Sequence, residues 1–177
     1  MVGLGRSGAA AVRLLRAKGV AVYGSDAGVG PALEATARDL AALGAAVELQ
    51  GHALERIRQA MAVVLSPGVP PDAPPVRAAR EAGVPIRAEI DVGLEALAGT
   101  PYIGITGTNG KTTVTALTAH LLRAAGRDAE AAGNIGTPLC EIALRERRPA
   151  WLAVEFSSFQ LHDCPRVNPV VGVLTNL

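Results

Sequence analysis

Lys111, Thr112 and Thr113 close a run of small residues in "GITGTNGKTT", residues 104–113. The backbone N–H groups of such a loop can cradle phosphate oxygens. A lysine ammonium can sit on the β and γ phosphates, and the first hydroxyl can ligate Mg²⁺ where the following helix begins. The expected cradle is Gly107, Thr108, Asn109 and Gly110, completed by Lys111, Thr112 and Thr113. Its spacing departs from the general phosphate-loop pattern, because Ile105 stands six residues before Lys111 where glycine is the rule, and the glycines fall at 104, 107 and 110. Lysine is scarce in this chain, only Lys18 and Lys111. A compact ammonium in this loop suits a phosphate clamp. The alternative is a glycine-rich turn that caps an ordinary helix.

A second cradle stands at the start. In "GLGRSG", residues 3–8, Gly3, Gly5 and Gly8 have the G-x-G-x-x-G spacing and lead into a helical pattern, and Asp26 closes the next strand. Glycines there let the backbone approach a diphosphate, whose charge meets the free amides and positive end of the helix. The alternative is a tight strand-to-helix turn with no ligand. Only Met1 and Val2 precede Gly3, whereas a strand needs roughly five residues. The amino end therefore reads as trimmed.

The elements that must position these residues are short aliphatic runs alternating with helical patterns. Residues 20–26, 45–49, 62–68, 84–88, 102–107, 151–158 and 170–176 read as strands, several apolar at consecutive positions as buried parallel strands are. Residues 7–19, 31–44, 75–83, 88–99, 111–126 and 137–148 read as helices, several stopped by glycine. Strict alternation predicts an α/β fold with doubly wound parallel sheets. "LAGTPY", residues 97–102, places a boundary between a Rossmann-like domain, 1–98, and a phosphate-loop domain, 99–177.

Composition excludes several classes. The chain is 49% apolar with 3% aromatics, as in a packed aliphatic interior, and its formal charge of +1 gives no basic excess for a nucleic-acid surface. Two cysteines are too few for a disulfide framework, and no run approaches the roughly 20 apolar residues of a membrane span. The expectation is an intracellular, cytoplasmic protein with no nucleic-acid or membrane partner. His52 and His162 read as exposed loop or helix-start residues and His120 as a helix residue, without separate chemistry.

"GTNGKTT", "AGNIGTPL" at residues 132–139 and "VEFSSFQL" at residues 154–161 together resemble the Mur ligase family, ATP-dependent amide-forming enzymes of peptidoglycan precursor synthesis. "GLGRSG" and "VVLSPGVP" extend the resemblance to that family's UDP-binding region. The segment after Glu155 resembles the branch that adds D-glutamate to UDP-N-acetylmuramoyl-L-alanine. The resemblance implies a Rossmann-like UDP-binding domain followed by an incomplete ATPase domain, with ATP and Mg²⁺ as cofactors and a monomeric enzyme. It assigns Lys111 to the ATP phosphates, Thr112 and Glu155 to Mg²⁺, and Asn134 to the acyl-phosphate and metal site. Gly5, Arg6, Ser7, Asp26, Ser66, Pro67 and Gly68 fall to the UDP end, and Ser157 and Gln160 to the muramoyl substrate. Residues 27 and 28, often threonine and a basic residue in relatives, are Ala27 and Gly28 here, so the uridine contact is thinner or supplied elsewhere.

Each assignment has a plainer counterpart. A buried Glu155 needs only a salt bridge or water, Asn134 suits a left-handed turn between glycines, Ser157 suits a helix cap and residues 66–68 a turn. Phe156 and Phe159, the chain's two phenylalanines, are expected to pack and hold their loop. The chain stops before the acidic Asp-His segment, carbamylated lysine and third domain that the resemblance implies, so by itself it is expected to turn nothing over. A ligase adding another acceptor, folylpolyglutamate synthase, a non-catalytic nucleotide-binding module and an NAD-dependent dehydrogenase are the competing readings. The dehydrogenase has no use for Lys111 and Thr112.

Overall fold

The computed structural model describes residues 1–177. Contacts divide the chain into two units, Met1–Glu89 and Ile90–Leu177. The division falls ahead of the boundary expected after residue 98, because the helix α5 (Glu89–Ala96) packs with the second unit. At Gly93 a Cβ would stand 2.4 Å from Leu139 Cβ, so the absence of a side chain lets this helix sit against residues of the second unit.

The first unit is built on the parallel pairs β1 (Tyr23–Asp26) with β2 (Ala46–Leu49) and β3 (Val63–Leu65) with β4 (Ile86–Ala88). Val2 joins them, bridging Ser25 on one side and Leu65 on the other. Its N–H donates to Val64 O at 2.9 Å, Ser66 N–H donates to its carbonyl at 3.0 Å, and Gly3 N–H donates to Ser25 O at 2.8 Å. Val2 thus links the two strand pairs just ahead of the glycine turn. Helices α1 (Arg6–Ala17), α2 (Pro31–Ala42), α3 (Leu54–Arg58) and α4 (Pro74–Glu81) cover it. Leu4, Ala9, Val12, Val22, Leu40 and Ala45 form one apolar cluster, and Val2, Ile57, Val63, Ala78, Ala79 and Val84 another. The many alanines keep these helices close to the sheet, and burial of the aliphatic groups is the main stabilising term.

In the second unit β5 (Tyr102–Thr106) is followed by α6 (Lys111–Ala124), β6 (Ala129–Gly133), α7 (Leu139–Ala143), β7 (Trp151–Glu155), α8 (Ser158–His162) and β8 (Val171–Leu174). The sheet order is β6-β7-β5-β8, all parallel. Ile105, Ala119 and Ala153 form the core between sheet and helix, with Ile103, Val114, Ala131 and Val173 around them.

Several elements differ from the sequence reading. β6 is "AEAAG", a composition with weak strand preference, and it forms because β7 beside it supplies a full register from Ala129↔Trp151 to Gly133↔Glu155. The helix expected over residues 137–148 contracts to α7, beyond which the chain turns so that Arg145 reaches Glu130. Phe156 is buried, its ring 6.2 Å from that of Tyr102, but Phe159 is 70% exposed and packs no core. It lies on α8, whose buried position is taken by Gln160. No helix is long and apolar enough to cross a membrane.

Candidate functional site

The lysine loop leaves the carboxyl end of β5, the edge at which parallel α/β sheets place their ligands. Gly107 has φ +136° and Gly110 φ +78°, backbone conformations that glycine adopts without a Cβ penalty. Gly110 caps α6, whose first internal bond runs from Val114 N–H to Gly110 O, so the amides of residues 110–113 point out of the helix end without an intrahelical acceptor. Lys111 folds back over the loop, its Nζ donating to Gly107 O at 2.8 Å and Thr108 O at 3.0 Å. Its ammonium therefore lies at the mouth of the cradle rather than extended into solvent.

Glu155 closes the same edge from the neighbouring strand. It is 2% exposed, yet both of its partners are neutral: Thr112 Oγ1 donates to Oε2 at 2.9 Å and Asn134 Nδ2 donates to Oε1 at 3.0 Å. A buried carboxylate held only by neutral donors is missing a counter-charge. The carboxylate and the Thr112 hydroxyl are hard oxygen ligands of the kind Mg²⁺ takes. One carboxylate beside a phosphate loop is the usual protein share of such a site, the rest of the shell being phosphate oxygens and water. The residues present therefore fit the cation.

Asn134 reaches Glu155 because β6 delivers it there. Its own N–H donates to Glu155 O at 3.0 Å. The left-handed conformations flanking it belong to Gly133, φ +99°, and Gly136, φ +67°, not to Asn134 itself. A Cβ at Gly133 would lie 2.4 Å from Glu155 O, so only glycine permits this approach of the two strand ends. The turn is fastened by Glu130, which accepts from Thr137 Oγ1 at 2.6 Å and from Arg145 Nη1 at 2.6 Å. Burial works to raise the Glu130 pKa, but the hydrogen bonds from Arg145 and Thr137 carry it below the usual carboxylate value.

Ser157 and Gln160 form a reciprocal cap on α8. Ser157 Oγ accepts from Gln160 N–H at 3.2 Å, and Gln160 Oε1 accepts from Ser157 N–H at 2.9 Å. Gln160 is 3% exposed and its amide oxygen is engaged in the cap, so its geometry is that of a residue shaping the loop after Glu155.

In the first unit the glycine turn, Asp26 and the turn of residues 66–68 meet. Asp26 accepts Leu4 N–H at 2.7 Å on one oxygen and Gly28 N–H at 2.8 Å on the other, tying the glycine turn to the loop after β1. Ser66 lies against Gly3, where a Cβ would come within 2.8 Å of its own. At Gly8 a Cβ would overlap Gly3 O, so that glycine serves the packing of α1 on the turn. Gly5, by contrast, has nothing within 4 Å of where a Cβ would point. The first bond of α1 is Ala9 N–H to Gly5 O, so the amides before it at the helix entrance have no intrahelical acceptor.

Three residues escaped the sequence reading. His52 is no isolated loop histidine: its Nδ1 lies 2.8 Å from Ser25 Oγ, and burial lowers its pKa against the pull of Asp26 and Glu48. Thr175 and Asn176 stand against the lysine loop. Asn176 Oδ1 accepts from Thr108 N–H at 3.1 Å and Asn109 N–H at 2.9 Å, and Thr175 Oγ1 donates to Asn109 O at 2.6 Å. Their signal was available in principle, as polar residues at the carboxyl end of a strand parallel and adjacent to β5.

Residues 1–88 match the family described as "Mur ligase MurD-like, N-terminal domain", and residues 105–177 match "Mur ligase middle domain". The chain belongs to the Mur ligase family. It is 44% identical, over all of its length, to 40% of the UDP-N-acetylmuramoylalanine--D-glutamate ligase of Thermosynechococcus vestitus. It is 42% identical, again over all of its length, to 37% of the ligase of the same name from Frankia casuarinae. It thus spans about two fifths of the length of these curated relatives. Among solved structures, a pseudomurein peptide ligase type C from Methanothermus fervidus covers 99% of the chain at 26% identity and TM-score 0.50, the chain covering 37% of that structure. The UDP-N-acetylmuramate:L-alanyl-gamma-D-glutamyl-meso-diaminopimelate ligase from Neisseria meningitides covers 99% at 20% identity and TM-score 0.56, with 59% of that structure covered, a likeness of fold.

Proposed function

We propose that this chain is the UDP-binding and partial ATP-binding region of a cytoplasmic ligase that joins D-glutamate to UDP-N-acetylmuramoyl-L-alanine with ATP and Mg²⁺. The observation that carries this reading is Glu155, buried beside the lysine loop with Thr112 and Asn134 on its two oxygens. The names and identities of the relatives support the D-glutamate acceptor. The protein acts as a monomer, without nucleic-acid or membrane partners.

In this reading the muramoyl-alanine carboxylate oxygen attacks the γ-phosphorus of ATP, and ADP leaves. The amine of D-glutamate then attacks the resulting acyl phosphate, forming the amide, releasing inorganic phosphate and giving up a proton. Lys111 holds negative charge as it shifts from γ to β phosphate, and the amides of residues 110–113 hold the phosphates in place. Glu155 and Thr112 would hold Mg²⁺, which when bound would supply further positive charge at the transferring group, and Asn134 fixes the Glu155 carboxylate. Gly5, Arg6, Ser7, Asp26 and residues 66–68 hold the UDP handle, whose binding energy serves to orient the distant carboxylate. Ser157 and Gln160 shape the loop that meets the muramoyl group.

The direct test is a substrate panel on a protein that carries this chain in its full reading frame. UDP-N-acetylmuramoyl-L-alanine with D-glutamate should release phosphate and form product. Faster turnover of UDP-N-acetylmuramate with L-alanine, or of a folate with glutamate, would assign the site to another acceptor. For the UDP end, Gly5→Val is expected to weaken UDP binding by roughly tenfold or more in calorimetric titration, since its side chain enters the open space at the helix entrance. The fold should persist, because Gly5 has φ −61°, a value any residue adopts. Unchanged UDP affinity, or tighter binding of NAD than of UDP, would move the UDP site elsewhere.

A further inference from the structure

The lysine loop does not hold its shape alone. Beyond β8 the chain runs alongside it, with Thr175 N–H donating to Thr106 O at 2.9 Å and Thr175 Oγ1 reaching both Thr106 O, at 3.3 Å, and Asn109 O, at 2.6 Å. Asn176 then places one carboxamide oxygen on two consecutive loop amides, Thr108 N–H and Asn109 N–H. Thr108 N–H is also 3.3 Å from the Asn176 carbonyl. Gly107 is where the two segments touch: a Cβ there would lie 2.9 Å from Asn176 O and would overlap Thr175 Oγ1. The loop therefore has two sets of amides. Those of Thr108 and Asn109 are turned onto the 175–176 segment, and those of residues 110–113 are left at the helix entrance.

We propose that Asn176, seated by Thr175, is a positioning residue for the nucleotide phosphates: it fixes the first half of the loop so that the amides of residues 110–113 and the Lys111 ammonium converge on one phosphate-sized point. Geometry and chemistry both require such a brace. A loop with glycines at 107 and 110, each at positive φ, has many conformations open to it. Collecting several backbone amides on one anion costs conformational entropy unless the loop is already ordered. A side-chain amide is suited to the task, since it accepts two N–H bonds while bringing no negative charge toward the phosphates. An aspartate at the same place would brace the loop equally and repel the ligand. Asn176 acts through the loop, and touches no reacting atom in this scheme.

The inference rests on the nucleotide reading of the lysine loop, and its test separates the two. Magnesium tripolyphosphate serves as the probe, titrated calorimetrically into this chain and its variants. Asn176→Ala should lower affinity about tenfold, and Thr175→Val, of nearly the same shape, should lower it severalfold. Asn176→Asp should keep the wild-type melting temperature and bind more weakly than Asn176→Ala at low salt, with the deficit shrinking as salt rises. Amide exchange should rise at Thr108 and Asn109 in Asn176→Ala while the amides of β5 and β7 stay protected. In a protein carrying the full reading frame, the same variant should raise KM for ATP more than it lowers kcat. Equal affinity of Asn176→Ala and wild type, with Lys111→Ala weakened, would sink the positioning role alone. Tighter binding by Asn176→Ala would show that the carboxamide competes with phosphate, and would also overturn it. Failure of the unaltered chain to bind tripolyphosphate would overturn the nucleotide reading and the inference with it. Should Asn176→Ala not fold, Thr175→Val decides by the same affinity comparison.

Discussion

Lys111→Ala in the full reading frame is expected to lower phosphate release and amide formation on the order of 10³-fold while leaving UDP-substrate affinity unchanged. The size follows from removing the one charge-bearing donor that the proposed mechanism places at the transferring phosphate. The separation of effects follows from placement, because Lys111 stands on α6 in the second unit and the expected UDP residues lie in the first. The substitution also removes the bonds from Nζ to Gly107 O and Thr108 O. Each such bond contributes about 1 kcal/mol to stability, a loss visible by thermal denaturation and far below the loss in rate. Lys111→Arg should rescue little, since a planar guanidinium presents its charge as a fork instead of a point. Near-wild-type rates in Lys111→Ala would remove the lysine from the mechanism.

The second large effect is expected at Glu155. Replacement by glutamine keeps the shape and preserves the hydrogen bonds: Asn134 Nδ2 can still donate to the remaining oxygen, and the Thr112 hydroxyl can turn to accept from the new amide. Stability should stay within about 1 kcal/mol of wild type, or rise, because a buried charge without a counter-charge has been removed. Turnover should nevertheless fall on the order of 10³-fold, and the magnesium concentration for half-maximal rate should rise, since the lost charge is the one that would hold the cation. Glu155→Ala would lose the same activity but also leave Asn134 and Thr112 without a partner, so the glutamine variant is the informative one. A magnesium dependence identical to wild type in Glu155→Gln would return Glu155 to a structural role.

The residues of the candidate site were legible where the chemistry proposed for them would restrict residue type. A lysine and a hydroxyl at a helix entrance after a strand, and glycines where backbone must approach an anion, are readable because few other residues serve. The alternating aliphatic runs likewise determined an α/β fold with parallel sheets, since burial on both faces admits little else.

Tertiary structure decided what depends on a neighbour. "AEAAG" becomes β6 only because β7 offers it a register, and that register alone carries Asn134 to Glu155. Phe159 and Gln160 exchanged the roles their types imply, the aromatic ring outside and the amide inside, because the cap with Ser157 fixes which face of α8 turns inward. Helix α5 went to the second unit because Gly93 abuts Leu139, a contact across 46 residues that no local pattern encodes. Asn176 came to the lysine loop by strand order, with β8 pairing beside β5. Sequence by itself determined the local chemistry and the layer architecture of this protein, which follow from side-chain type and period. Which groups meet was settled by packing between segments far apart in the chain, where burial and hydrogen-bond geometry outweigh local preference.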